Sequence, residues 1–303
     1  MTDASRRDAL KCLGVGAGTL FTLQGGVFSA FDMAEARIED IGTPLFLQIS
    51  DTHIGFNKDA NPDVIGTLNS TIDAINGLAH QPAFALHTGD VTHLSKASEF
   101  DTANQLLSRL KVSELHVVPG EHDVTDGPGA EFFARFGKPS ANRGYYSFDA
   151  KGVHFVALVN VMNFKPNGLG ALGEDQLNWL KDDLAGRSAS QPIVVFAHMP
   201  LWTIYEPWGW GTSDAPQLMD QLRRFGSVTV LNGHIHQIVQ KVEGNITFHS
   251  ARSTAYPQPI AGEGAGPGPL KVPAGELSKY LGVTNVTINK HQHSLSLNDM
   301  VIA

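Results

Sequence analysis

Asp51 and His53 stand two residues apart, as do His234 and His236, and each pair directly follows an apolar run. Asp90, Glu121 and His198 follow three further runs, at 84–88, 115–118 and 193–197. Carboxylate oxygens and imidazole nitrogens are metal ligands, and this set is larger than one four-coordinate ion uses. It fits two cations sharing a bridging carboxylate, a device that clamps phosphoryl oxygens and lowers the pKa of a bound water. A lone buried histidine or an isolated Asp-x-His is more often a hydrogen-bonded core residue. Five ligand-bearing ends in one chain argue for a single centre.

The elements that must position these groups follow from the same runs. Short apolar stretches bounded by Gly, Pro or a polar residue read as buried strands, and ligand sites in open α/β sheets lie beyond the strands' carboxyl ends. In an extended segment alternate side chains share a face, so each His or Asp pair points one way. Gly89 lets backbone approach the centre beside Asp90. Met199-Pro200 ends the strand that carries His198.

Strands are expected over 44–50, 83–88, 114–118, 192–197 and 227–232, with helices near 62–79, 96–110, 173–184 and 215–225. On the third helix Leu177, Leu180 and Leu184 fall on one face. Two middle β segments, 145–149 and 153–159, and late strands at 237–242, 245–249, 283–289 and near 293–302 complete the pattern. The Pro/Gly-rich stretch 257–275 is either a lid or a plain solvent loop. The fold class is α/β, one domain with two sheets packed between helices.

Composition narrows the function. With 303 residues, 42% of them hydrophobic and 17% charged, the chain fills a sizeable core and is no disordered tail. A net charge of −8 without basic clusters past the N-terminus argues against a nucleic-acid polymer as partner. Arg6-Arg7 just before an apolar, Gly-rich stretch resembles a twin-arginine export signal. The alternative is a cytosolic helix that begins with two arginines. The export reading divides the chain into a signal segment, 1–36, and a functional domain, 37–303, with cleavage after Ala36 or Ser29. It implies the twin-arginine machinery as a partner, a periplasmic or secreted mature form, and no stable membrane span once the signal is removed. Cys12, the only cysteine, belongs to that segment, so the mature form has no disulfide.

Asp51-Thr52-His53, Gly89-Asp90, Gly120-Glu121-His122-Asp123, His198 and Gly233-His234-Ile235-His236 together resemble the signature of calcineurin-like metallophosphoesterases. The resemblance spans 45–250. Ser-Asp-Thr-His at 50–53, Gln-Leu-x-Trp-Leu at 176–180 and Gly-His-Ile-His-Gln at 233–237 bring it nearest the bacterial cyclic-nucleotide phosphodiesterase branch. It implies a four-layer α-β-β-α sandwich of two mixed β-sheets flanked by helices. It also implies that Asp51, His53 and His236 hold one metal, Asp90 bridges, and His198, His234 and residue 121 hold the second.

The family's usual residue at 121 is Asn, and Glu121 departs from it. A third carboxylate favours iron or manganese over zinc and makes a bridging water less acidic. The alternative is a Glu121 that swings away and is replaced by water.

The chemistry implied is hydrolysis of a small phosphoester by in-line attack of a metal-bridging hydroxide. His122 is the candidate to stabilise charge or protonate the leaving alkoxide, or else a further ligand, and Asp123 would orient its imidazole or raise its basicity. His93 contacts either the leaving group, a metal or a neighbouring ligand. Arg252 is a phosphate clamp or a surface arginine. Trp208 and Trp210, near His198, stack on substrate or pack against the domain. A phosphodiesterase is the leading expectation, a phosphomonoesterase of the nucleotidase or acid-phosphatase type the second, and a non-catalytic metal-holding module the third.

Overall fold

Alternation along the apolar runs sorts their side chains onto two sides of each sheet in the computed structural model, which describes residues 19–24, 27–32, 44–141, 143–162, 168–288 and 295–302. Residues 1–42 and 43–303 form two compact units. In the first, β1 (Thr19–Gln24) and β2 (Val27–Asp32) pair antiparallel. Arg6 and Arg7 of the expected export signal lie outside the described residues.

The second unit holds two mixed sheets. β3 (Pro44–Ile49), β4 (Phe84–His87) and β5 (Leu115–Val117) run parallel; β12 (Gly282–Ile288) pairs antiparallel with β3, and β13 (Leu295–Val301) antiparallel with β12, in the order β13-β12-β3-β4-β5. The other sheet has six strands: β6 (Tyr146–Ala150), β7 (Val153–Ala157), β8 (Ile193–Phe196), β9 (Val228–Asn232), β10 (Gln240–Glu243) and β11 (Ile246–Ser250). Their order is β10-β11-β9-β8-β7-β6, with β7, β8, β9 and β11 mutually parallel.

Three apolar clusters make the layers. Phe46, Phe84 and Leu86 of the first sheet meet Phe155, Val194, Phe196 and Leu231 of the second, with Phe46 and Phe155 edge to face at 5.3 Å. On the far side of the first sheet, Leu47 and Ile49 pack under α1 (Val64–Asn76), α2 (Ala97–Leu107) and α3 (Ala130–Phe136) through Leu68, Ile72, Phe100 and Phe132. Asp63 caps α1, accepting from the Gly66 amide at 2.8 Å. On the far side of the second sheet, Val195 and Val230 lie under α4 (Glu174–Ala185) and α5 (Ala215–Leu222) through Leu180, Leu184, Leu218 and Leu222. These are the four layers expected.

Two details differ from expectation. The short helix α3 was not anticipated; Arg135 ties it to α2 by reaching Asp101 at 2.6 Å. On α4 the fully inward positions are Gln176, Leu180 and Leu184, while Leu177 is only partly buried. Gln176 takes an apolar position because its amide satisfies both Val159 N–H, at 2.8 Å, and Val159 C=O, at 2.7 Å. No helix among the described residues is long and apolar enough to cross a membrane.

Candidate metal centre

The ligand pairs are brought together by turns, not by extended strand. β3 ends at Ile49, and Asp51, His53, Asp90, His234 and His236 all have left-handed backbone, with φ of 54°, 42°, 52°, 69° and 52°. Such values are uncommon outside glycine and concentrate at functional sites. The expectation of alternate side chains on a strand face is corrected accordingly. Gly89, at φ 96°, precedes the turn at Asp90, and a Cβ there would stand 2.5 Å from His198 Nδ1 and 2.7 Å from the Gly120 nitrogen. Close approach therefore requires the glycine, as expected.

The seven groups converge from both sheets. Asp51, His53 and His236 offer atoms within 4.8 Å of one another, and so do Glu121, His198 and His234. Asp51 Oδ1 lies 3.2 Å from His236 Nε2. Glu121 is turned inward, Oε2 2.9 Å from His198 Nε2 and Oε1 3.0 Å from His234 Nδ1. Asp90 Oδ2 lies between the two groups, 3.5 Å from His53 Nε2 and 3.3 Å from His198 Nε2. The His122 amide holds the other Asp90 oxygen at 2.9 Å.

The donor set fits cations. His236 Nδ1 donates to the Tyr256 carbonyl at 2.6 Å and His198 Nδ1 to the Thr88 carbonyl at 2.7 Å. A carbonyl only accepts, so in the neutral rings Nε2 carries the lone pair and is aimed at the centre. His53 Nε2 and His236 Nε2 face each other at 3.2 Å. Glu121 Oε2, His198 Nε2 and both His234 nitrogens are buried without an aligned hydrogen bond, despite their short separations. Buried polar atoms are normally satisfied, and here Glu121 Oε2, His198 Nε2 and His234 Nδ1 lie on common ground.

The charges interlock. Burial opposes ionisation of Asp51 and Glu121, but His236 and His198 hold Asp51 below the usual carboxylate range, and His234 and His198 hold Glu121 well below it. Burial also opposes a charged His198, yet Asp90 and Glu121 lift it well above the ordinary imidazole value.

The remaining candidates divide. His122 Nδ1 donates to the His93 carbonyl at 2.8 Å, and His122 shares a 4.8 Å cluster with Asp90 and Glu121. Asp90 and Glu121 raise its pKa against burial. His93 stacks on His122 and approaches His53 Nδ1 at 3.4 Å. Asp123 does not orient His122: its carboxylate accepts from the amides of Val91, Thr92 and Gly120 at 3.0, 2.8 and 3.0 Å, and from the Thr92 hydroxyl at 2.9 Å. It fixes the backbone that carries Asp90 instead. Arg252 donates to the Lys279 carbonyl at 2.6 Å, and no contact among the described residues brings it to the cluster. Trp210 is 1% exposed, edge to face with Trp208 at 5.2 Å, so it packs against the domain and offers no face for stacking. Trp208 is partly exposed.

Sequence reasoning missed Tyr256 and Thr88. Both act through backbone carbonyls, which leave no residue-type signal. The Tyr256 ring also covers His53 at 4.9 Å and His236 at 4.7 Å.

Comparison with known proteins agrees with this geometry. The calcineurin-like phosphoesterase family matches residues 44–238. Human serine/threonine-protein phosphatase CPPED1 is 26% identical over 245 residues, covering 73% of this chain and 77% of the relative. A probable glycerophosphodiester phosphodiesterase of Arcobacter nitrofigilis is 25% identical over 226 residues, 70% of this chain and 79% of the relative. A crystal structure of a dimetal phosphatase from Danio rerio shares the fold at a TM-score of 0.64 and 13% identity, covering 86% of this chain and 97% of that one. The chain belongs to the calcineurin-like phosphoesterase family, and with it to the metal-dependent phosphoric ester hydrolases.

Proposed function

We propose that the chain is an exported phosphodiesterase acting on a small phosphoester with a dinuclear centre, in which iron or manganese is favoured and zinc is the alternative. The observation that supports the dinuclear reading is the convergence of the unsatisfied Glu121 Oε2, His198 Nε2 and His234 Nδ1 beside the facing Nε2 atoms of His53 and His236. Asp51, His53 and His236 would hold one ion, Glu121, His198 and His234 the other, and Asp90 would join them. When bound, such a pair supplies charge to the phosphoryl oxygens and lowers the pKa of an attacking water.

The chain's own groups supply the rest. His122, anchored through Nδ1, keeps Nε2 for a proton delivered to the leaving oxygen. Burial of the ligands beneath Tyr256 limits competing water on the side of His53 and His236. The carboxylate at 121 in place of Asn supports harder ions.

A relative named as a glycerophosphodiester phosphodiesterase favours the diester. A relative named as a phosphatase supports the second reading, a monoesterase. Turnover of bis-nitrophenyl phosphate against nitrophenyl phosphate by the Mn2+-loaded protein tests this. Faster diester cleavage is expected; faster monoester cleavage selects the second reading. No cleavage of either by protein carrying two ions selects the non-catalytic module. Export rests on Arg6-Arg7; replacing both with Lys should leave the protein in the cytoplasmic fraction of a bacterial host.

A further inference from the structure

The two carboxylate oxygens of Asp51 have different surroundings. Oδ1 faces His236 Nε2 at 3.2 Å and His198 Nε2 at 4.0 Å, and the His234 amide straddles the carboxylate, 3.2 Å from Oδ1 and 3.3 Å from Oδ2. Oδ2 accepts the Ser50 hydroxyl. Ser50 Oγ in turn accepts the Thr88 hydroxyl at 2.7 Å, and Thr88 Oγ1 accepts from the Gln48 side-chain amide at 3.1 Å. The same Gln48 nitrogen donates to the Asn232 carbonyl at 3.1 Å, so the chain of bonds is anchored on the second sheet. Gln48, Ser50, Asp51 and Thr88 are all fully buried.

The polarity of this chain is fixed by chemistry. An ionised carboxylate only accepts, so Ser50 spends its single proton on Asp51 and must itself receive from Thr88. Thr88, its proton spent on Ser50, receives in turn from the Gln48 NH2, which only donates. The bonds run one way and end on Oδ2. The Asp51 main chain is held as well, because its carbonyl accepts the Ser253 hydroxyl at 2.7 Å. Gly233 closes the remaining side: a Cβ there would collide with both Ser50 Oγ and Asp51 Oδ2.

We propose that Ser50, backed by Thr88 and Gln48, is a positioning residue that commits Asp51 Oδ2 to the protein and leaves Oδ1 as the one oxygen presented to the cation shared with His53 and His236. The proposal rests on the dinuclear reading above. Without the Ser50 hydroxyl, Oδ2 keeps only the longer contact with the His234 amide, and the ion on the side of Asp51 would be held less well. The side chains of Ser50, Thr88 and Gln48 make no hydrogen bond to Glu121, His198 or His234, so the other ion would depend on them less.

The test is metal occupancy. Full-length wild type, Ser50→Ala, Ser50→Thr and Thr88→Val, each loaded with Mn2+, are dialysed against stepped concentrations of free Mn2+, and bound metal per chain is measured. Wild type should release two ions in two steps. In Ser50→Ala one step should shift to about 10- to 100-fold higher free Mn2+, as for other residues that orient a ligand, while the other stays in place. Ser50→Thr, which keeps the hydroxyl, should restore the wild-type curve. If Ser50→Ala does not fold, Thr88→Val carries the test with a shift in the same single step. Unshifted curves, or equal shifts of both steps, would overturn the proposal. Fewer than two ions on wild type would overturn the dinuclear reading itself.

Discussion

The imidazole of His122 lies against that of His93 with ring centres 4.8 Å apart, and its Nδ1 donates to the His93 carbonyl at 2.8 Å. One nitrogen is thus spent on position and the other is left for chemistry. His122→Ala should lower kcat about 10²- to 10⁴-fold on an alkyl phosphoester, which needs a proton on its leaving oxygen. The loss on a nitrophenyl ester should be much smaller, with bound metal unchanged. A parallel loss of metal would make His122 a ligand.

Glu121 spans His198 and His234 at 2.9 and 3.0 Å. Glu121→Asn removes one negative charge while keeping a carbonyl oxygen. Metal analysis after growth with mixed ions should show zinc gaining on iron and manganese. The acid limb of the pH–rate profile should move to lower pH, because the remaining carboxylates neutralise less of the cation charge. An unchanged metal ratio and profile would sink the assignment of metal choice to this position.

His87 gives a pH dependence of stability. Its Nδ1 accepts from the Gly89 amide at 3.3 Å; Thr52 spends its proton on the Val91 carbonyl, so His87 Nε2 donates to Thr52 Oγ1 at 3.3 Å. The fold therefore holds a neutral ring, and burial pushes its pKa down from 6.5 to about 4. Between those values the unfolded chain binds the extra proton, so stability rises with pH and is complete above 6.5. The effect is worth up to roughly 3 kcal/mol. Urea midpoints across this range should fall less steeply on acidification for His87→Gln than for wild type.

The two tryptophans should separate. Trp210 is buried at 1% exposure, and Trp210→Ala should cost about 3–5 kcal/mol of stability in urea unfolding. Trp208, partly exposed, stands between Tyr205 at 5.3 Å and Trp210 at 5.2 Å. Trp208→Ala should leave stability within about 1 kcal/mol and raise KM for nucleotide diesters more than for nitrophenyl esters. Equal KM effects would assign Trp208 to packing.

The convergence of the candidate ligands was legible because each is a charged or imidazole residue stranded at the end of an apolar run, a position with no structural need for it. The layers were legible because side chains such as Phe46 and Leu47 alternate between two apolar clusters. What sequence obscured was backbone. Nothing in Asp51-Thr52-His53 announces two left-handed residues, and the adjacency of His122 and Asp123 suggested an orienting bond that the structure lacks, although the Asp123 charge does help raise the His122 pKa. Asp123 points back to amides at 91, 92 and 120, a role set by tertiary closure. Arg252 stayed open between clamp and surface arginine because sequence says nothing of where a long side chain ends, here on the Lys279 carbonyl.

Each half of the centre draws on both sheets: Asp51 and His53 follow β3 while His236 follows β9, and Glu121 follows β5 while His198 and His234 follow β8 and β9. The His234 amide that meets the Asp51 carboxylate is 183 residues further along the chain. Neither sheet alone can present a full set of ligands, so a cation has no specific home until the two have docked. On the proposed ligand assignment, metal capture would act as a proof of completed folding: only finished molecules would load, and each ion, once seated, would rivet the seam whose closure made its site.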